Sequence, residues 1–197
     1  MVILLDMDEL LSDFIGGVCR LFGVTRTELE QYRRLGDWSI VKPLCRVLLE
    51  RNPAGEPLTT NDMWTQIDYE GQGFWRHLKP LPTKKPLLHL AASVGDEWYV
   101  VSSPSNHHGC HVGKIEWFKY FVDNNFNSRL ILTPNKHLLA NKNTVLIDDR
   151  YKNIKRFEQA GGKGILFPHE GNHAHKYRHA AIEHVEQSLY QFSTLVS

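Results

Sequence analysis

The sequence predicts an α/β fold: a doubly wound, mostly parallel sheet with a small helical cap inserted after the first strand. Three observations lead there. The chain opens on Val2-Ile3-Leu4-Leu5, which runs straight into Asp6-Met7-Asp8. A second short apolar run, Thr144-Val145-Leu146-Ile147, ends on Asp148-Asp149. Short apolar runs of this kind read as strands buried on both faces, the habit of parallel sheets. From Thr83 onward, strand-like and helix-like segments alternate, and that alternation implies a parallel sheet with right-handed crossovers.

The elements follow in chain order. After the first strand, Ser12 or Asp13 can cap a helix to about Leu21, and Thr25 or Thr27 a second to about Leu35. Between Gly36 and Pro82 lie Pro43, Pro53, Pro57, Pro80 and Pro82, the breaker Asn52-Pro53-Ala54-Gly55, and Trp38, Trp64 and Trp75. Such a segment is poor material for a parallel sheet and reads as small helices packed over the mouth of the main domain. The core is thus assigned to residues 1–15 and 83–197, and the cap to 16–82. In the core a helix is expected over Lys84–Ser93, then strand Glu97–Val101, a helix over Val112–Asp123 and strand Arg129–Leu132. Strand Thr144–Ile147 precedes a helix over Tyr151–Ala160, strand Gly164–Phe167 and a last helix over Ala174–Phe192.

Bulk properties exclude several classes of function. A chain of 197 residues can bury one good core with a small appendage. Net charge is +1 with Lys and Arg scattered, so no basic stripe for stable nucleic-acid binding and no membrane patch is built. Cys19, Cys45 and Cys110 are odd in number and widely spaced, which suits free thiols in a reducing compartment. No apolar stretch approaches the roughly 18 residues of a membrane span, and the first apolar run is too short for a signal peptide. The expected location is the cytoplasm.

Carboxylates almost never lie buried without a partner. Two apolar strands that each deliver two of them, Asp6/Asp8 and Asp148/Asp149, therefore point to a shared metal site at the carboxyl ends of the strands. The run Val100-Val101-Ser102-Ser103-Pro104 adds hydroxyls and backbone N–H groups at another strand end, a cradle for an oxyanion. Four acids cannot receive an anion without cations, and Lys136, in a turn shortly before the second acidic strand, can supply one. Lys114, early in the helix after the serine loop, reads as a solvated helix residue. Arg150 could orient a carboxylate or face a partner surface.

These pieces, in this order, resemble the haloacid-dehalogenase-like phosphatases, whose core is Rossmann-like. They resemble most the 5'(3')-deoxyribonucleotidases, the cytosolic type C 5'-nucleotidases. Asp6-Met7-Asp8-Glu9-Leu10-Leu11-Ser12-Asp13-Phe14 parallels that family's DMDGVLADF-like string, and Ser102-Ser103-Pro104 its TSP-like motif. Leu146–Arg150 reproduces LIDDR unchanged, and Phe74–Pro82 echoes an FxxLxPLP-like segment. Lys114-Ile115-Glu116-Trp117 echoes a Lys–x–Trp-like helix.

The resemblance implies a Mg²⁺-dependent phosphomonoesterase acting on (deoxy)nucleoside monophosphates. In it Asp6 attacks phosphorus, and Asp8 protonates the leaving alcohol and then activates water. Asp6, Asp8 through its backbone carbonyl, Asp148 and Asp149 form the metal site, without distinction between the last two. Ser102, the Ser103 backbone and Lys136 bind the phosphate oxygens. Phe14, Trp38 and Trp64 are the base-binding candidates, since aromatic faces stack on any base. The resemblance also suggests a homodimer. A 3'-phosphatase on nucleic-acid ends would use the same chemistry, but near-zero net charge argues against a polymer substrate. A small-metabolite phosphatase of the same superfamily is a further alternative. A non-catalytic binding protein would be expected to lose the acids or the lysine, and none is lost.

Three features depart from the family pattern. Glu9 stands where glycine is usual and is expected either to face solvent or to alter the turn. Cys110 and the histidines at 107, 108, 111, 169, 173, 175 and 179 read as polar loops rather than a zinc site, with a substrate-facing role open to His107 or His108 because their loop borders the phosphate cradle. The cap is rearranged, so base preference does not carry over.

Overall fold

The computed structural model describes residues 1–194. Its sheet has five strands, β1 (Val2–Leu5), β2 (Glu97–Ser102), β3 (Leu130–Leu132), β4 (Thr144–Asp148) and β5 (Lys163–Leu166), in the order β3-β2-β1-β4-β5. Every pairing is parallel rather than most of them. The chain builds outward from β1 to β2 and β3, then crosses to the other side for β4 and β5. The crevice where that direction reverses lies between the carboxyl ends of β1 and β4, the usual ligand position in open α/β sheets. Leu5 is in register with Ile147, and the Asp6 N–H donates to the Ile147 carbonyl at 2.9 Å. The two acidic motifs therefore come side by side at this crevice.

Alternation along the strands divides the core. Ile3, Leu5, Val100, Val145 and Ile147 pack into the larger cluster, with Trp117, Val185 and Leu189. Leu4, Val101 and Leu146 face the other way, onto Ile154 and Phe157. Both faces of β1 are covered, which is why its sequence is a continuous apolar run.

The helices are α1 (Phe14–Leu21), α2 (Arg26–Tyr32), α3 (Val41–Arg51), α4 (Thr60–Glu70), α5 (Gln72–Arg76), α6 (Lys84–Val94), α7 (His108–Phe121), α8 (Tyr151–Gln159) and α9 (Ala181–Thr194). Asp13 caps α1 by accepting from the Gly16 N–H, and Thr25 and Thr59 form capping boxes with Glu28 and Asp62. As expected, Gly36–Pro82 adds no strand to the sheet among the described residues. Proline 80 makes only an isolated bridge, to Ser12.

Boundaries shift at three places. Helix α2 ends at Tyr32 instead of Leu35, because Arg33 turns extended (φ −79°, ψ 130°) and Gly36 at φ +84° ties its N–H to the Glu170 carbonyl. Helix α7 starts four residues early. Its glycines look like breakers, but they admit the backbone of α5: a Cβ on Gly109 would lie 2.6 Å from Gln72 N, and one on Gly113 2.6 Å from Gln72 O. Third, the expected last helix splits into a 3₁₀ segment, His175–Ala180, and α9. No helix among the described residues is long and apolar enough to cross a membrane.

Candidate active site

The acids at the crevice are buried and differently partnered. Asp6 accepts the Met7 N–H at 2.7 Å and lies 2.7 Å from Lys136 Nζ. Burial, then the charge of Asp148, raises its pKa to about 7 even though Lys136 pulls it down. Lys136, itself buried, also bonds Asp148 at 2.6 Å; burial works against its charge, but the two carboxylates hold its pKa above normal. Asp148 is saturated: it accepts from Lys136, from the Arg150 N–H at 2.8 Å, and from Asn153 at 3.1 and 2.9 Å. Asp149 is the opposite case. It is buried, yet its carboxylate takes no hydrogen bond among the described residues, and His169 Nδ1 lies 3.9 Å from it. Burial, then Asp148 and Asp6, pushes its pKa well above the carboxylate range. The two adjacent acids thus differ in their surroundings: the Asp148 carboxylate is filled by protein donors, and that of Asp149 is not.

Asp8 turns away from this cluster. Its carboxylate accepts from Lys114 Nζ at 2.5 Å and from the Ser12 hydroxyl at 3.0 Å. Lys114 is not the solvated helix residue its sequence context implies. It is fully buried, donates to Ser102 Oγ at 2.9 Å and sits over the Trp75 ring at 4.6 Å. Because Ser102 accepts from Lys114, its own O–H is free to donate. Ser103 is exposed, and its hydroxyl reaches only the Thr133 carbonyl at 3.4 Å. Arg150 is exposed and lies over the Trp38 ring at 5.9 Å.

Glu9 does not face solvent. It is buried at φ +58°, a left-handed conformation that costs a non-glycine residue about 1–2 kcal/mol. Its carboxylate accepts the Ile15 N–H at 2.7 Å and faces His169 Nε2 at 3.1 Å and Arg26 Nη2 at 3.4 Å. Burial opposes ionisation here, but those partners outweigh it and lower the pKa. Among the late histidines His169 thus belongs to the site. Among the described residues, Asp6, Asp148 and Asp149 are the one group of three or more His, Cys, Asp or Glu ligands.

Beside the acids opens a cavity of about 440 Å³, walled by Phe14, Trp38, Trp64, Met63, Asp149 and His169. All three aromatic candidates line it. Phe14 lies 5.9 Å from Trp64 and stacks at 5.7 Å on buried Trp75, while Trp38 stands edge-on to His169. Sequence reasoning missed Lys114 and His169 as site residues. Glu9 carried a signal in its departure from glycine, and Lys114 one in its Lys–x–Trp-like motif.

The donor set fits a divalent cation. Oxygen atoms from Asp6, Asp148 and Asp149 lie within 4.8 Å of one another, and hard cations take carboxylate oxygens. The unbonded, buried Asp149 is the specific sign. Such a cation is expected to raise the melting temperature by several degrees at saturating concentration. The sign of its pH dependence follows from Asp6. With a folded pKa of about 7, the metal-free protein holds a proton that the unfolded chain has lost above its ordinary value of 3.8. Metal-free stability therefore falls as pH rises from about 4 to 7, and the cation, which displaces that proton, binds tighter at pH 8 than at pH 6. Melting with and without Mg²⁺ at the two pH values checks this; an equal shift at both would contradict it.

The chain matches the model of the family described as "5' nucleotidase, deoxy (Pyrimidine), cytosolic type C protein" over residues 1–192. It is 25% identical over 191 residues to the 5'(3')-deoxyribonucleotidase of Bacillus subtilis (strain 168), covering 95% of this chain and 98% of that protein. The figures for the 5'(3')-deoxyribonucleotidase of Bacillus phage SPbeta are the same. Among solved structures, a HAD family hydrolase from Deinococcus radiodurans R1 with bound phosphate and sodium superposes with a TM-score of 0.55 at 12% identity, over 98% of this chain and 96% of that one. A hydrolase from Streptococcus pneumoniae TIGR4 gives 0.50 at 16%, over 84% and 91%. At such identities these structures show a shared fold.

Proposed function

Because the chain belongs to the cytosolic type C 5'-nucleotidase family, phosphoric monoester hydrolases of the haloacid-dehalogenase fold, we propose that it hydrolyses (deoxy)nucleoside monophosphates to nucleoside and phosphate with Mg²⁺ as cofactor. The observation that carries this reading is the separation of the two acids of the first motif, next to an aromatic cavity. Asp6 stands in the acid cluster with Lys136, whereas Asp8, two residues on, is held apart by Lys114 and Ser12. That separation supports reading one acid as the nucleophile and the other as the proton-transfer group.

A carboxylate oxygen of Asp6 attacks phosphorus, forming an acyl phosphate as the ester P–O bond breaks. Asp8 gives its proton to the leaving alkoxide. It then takes a proton from the water that attacks the same phosphorus, and the P–O bond to Asp6 breaks, returning both acids to their starting states. Mg²⁺, held by Asp6 and Asp149, would offset the repulsion between the carboxylate and the phosphate dianion. Lys136 and the free O–H of Ser102 are the donors for the remaining phosphate oxygens. The Ser103 backbone N–H, at the end of β2, joins them in this scheme. Phe14, Trp38 and Trp64 hold the base.

Phosphate release from a panel of 5'- and 3'-monophosphates with and without Mg²⁺ tests the reading. Mg²⁺-dependent release from at least one mononucleotide is expected. Release only from 3'-phosphorylated oligonucleotides, or none from any member, would overturn it. Asp8→Asn is expected to lower kcat by about 10²- to 10⁴-fold with a smaller change in KM. A loss confined to KM would remove Asp8 from proton transfer.

A further inference from the structure

Among the described residues Glu9 is the one non-glycine residue with positive φ, in the loop directly after Asp8. A side chain is strained there, and strain persists only where the surroundings hold it. What holds it is the carboxylate, fixed by the Ile15 N–H, His169 Nε2 and Arg26. The proposed chemistry uses none of these groups. His169, from the loop after β5, accepts the Gly171 N–H on Nδ1 at 3.2 Å, so Nε2 carries the hydrogen that Glu9 receives. Both ring nitrogens are thereby committed, and the ring plane is set. The ring stands 3.9 Å from Asp149 Oδ2 and edge-on to Trp38, with centroids 6.1 Å apart. Glu9, His169, Asp149 and Trp38 all line the aromatic cavity.

We propose that Glu9 is a positioning residue for substrate binding: acting through His169, it fixes the cavity wall against which the nucleoside part of the substrate rests. The proposal stands on the nucleotide reading above. It places the effect of Glu9 on the nucleoside and not on phosphoryl transfer, since the carboxylate touches neither Asp6 nor Asp8. Arg26 strengthens the arrangement, because its contacts to Asp13 at 2.7 Å and to Glu9 link α2 to the same loop. The wall is therefore joined to the first helices of the 16–82 segment.

The test is steady-state kinetics of the Mg²⁺-loaded full chain on a deoxynucleoside 5'-monophosphate and on acetyl phosphate, which is too small to fill the cavity. Glu9→Gly accepts the positive φ without strain, so any effect comes from the lost carboxylate. Its nucleotide KM is expected to rise about 10-fold or more, with kcat within about 3-fold, and the ratio of nucleotide to acetyl phosphate kcat/KM to fall about 10-fold. His169→Phe, which keeps a ring but loses Nε2–H, is expected to show the same rise. In the double variant the rise should be no larger than in either single one, the mark of two residues acting as a unit. His169→Phe alone carries the test if Glu9→Gly does not fold. An unchanged nucleotide KM, or equal losses on both substrates, would overturn the proposal. Wild-type protein that turns over acetyl phosphate but no nucleotide would overturn the nucleotide reading and the proposal with it, a failure visible before any variant is made.

Discussion

Asp6→Asn is expected to end phosphate release while leaving a folded protein that melts no lower than wild type in the absence of metal. An amide is not a nucleophile towards phosphorus, and loss of an attacking group costs on the order of 10⁴-fold or more in kcat. The stability half follows from what surrounds the residue. Asp6 is buried beside Asp148, and its pKa of about 7 means that its charge is disfavoured there at neutral pH. Asparagine keeps the shape and an acceptor for the Met7 N–H, and it removes one of the mutually repelling charges. Lys136 retains Asp148 as its partner. The variant should also lose most of the Mg²⁺-induced rise in melting temperature, because a neutral amide is a poor ligand for a hard cation. Phosphate assays and melts with and without Mg²⁺ measure both halves. Activity within 10-fold of wild type would end the covalent mechanism. Such a trade, stability given up for a working site, is common where activity needs buried charge.

The second large effect concerns Lys136→Met, and it reaches stability as well as catalysis. Nζ lies 2.7 Å from Asp6 and 2.6 Å from Asp148, and Asp148 is fully buried. Removing one partner of a buried ion pair strands the other and costs about 3–5 kcal/mol. In a chain of this size that lowers the melting temperature by roughly 10 °C. The sign with pH is set by the acids left behind. Without the lysine the pKa of Asp6, already about 7, rises further, so the loss is greatest near pH 8 and is partly recovered as pH falls towards 5 and Asp6 takes up a proton. Mg²⁺ should recover part of it at pH 8, by returning positive charge to the cluster. Activity should fall by about 10²-fold or more, since the charge that faces the phosphate oxygens is gone. Melting within 2 °C of wild type at pH 8 would show that the lysine is not the counter-charge of this cluster.

The readable parts of the site are those whose chemistry conflicts with their sequence surroundings. Asp6 and Asp148 follow apolar strands, where a carboxylate has no solvent to turn to, so their presence already calls for a cation. Lys136 could be paired with them on charge balance alone. Lys114 could not: it lies 106 residues from Asp8, on a helix whose polar positions look like a solvated face. Its burial depends on Gly109 and Gly113 letting α5 press against α7. Asp148 and Asp149 are adjacent and chemically identical, and only Asn153, the Arg150 N–H and Lys136 fill the carboxylate of one and leave that of the other without a hydrogen bond.

The order of apolar runs and breakers determined the α/β class and the strand positions, because burial on both faces of a parallel strand demands uninterrupted apolar side chains. The same logic determined which acids meet, since strand ends converge at one edge of such a sheet. The tertiary structure alone decided which partner each acid keeps, that Lys114 is buried, and that Glu9 and His169 wall the cavity. Those outcomes depend on contacts between distant segments at hydrogen-bond range, where a few tenths of an ångström separate a bond from none. No local pattern of residue types encodes distances that fine.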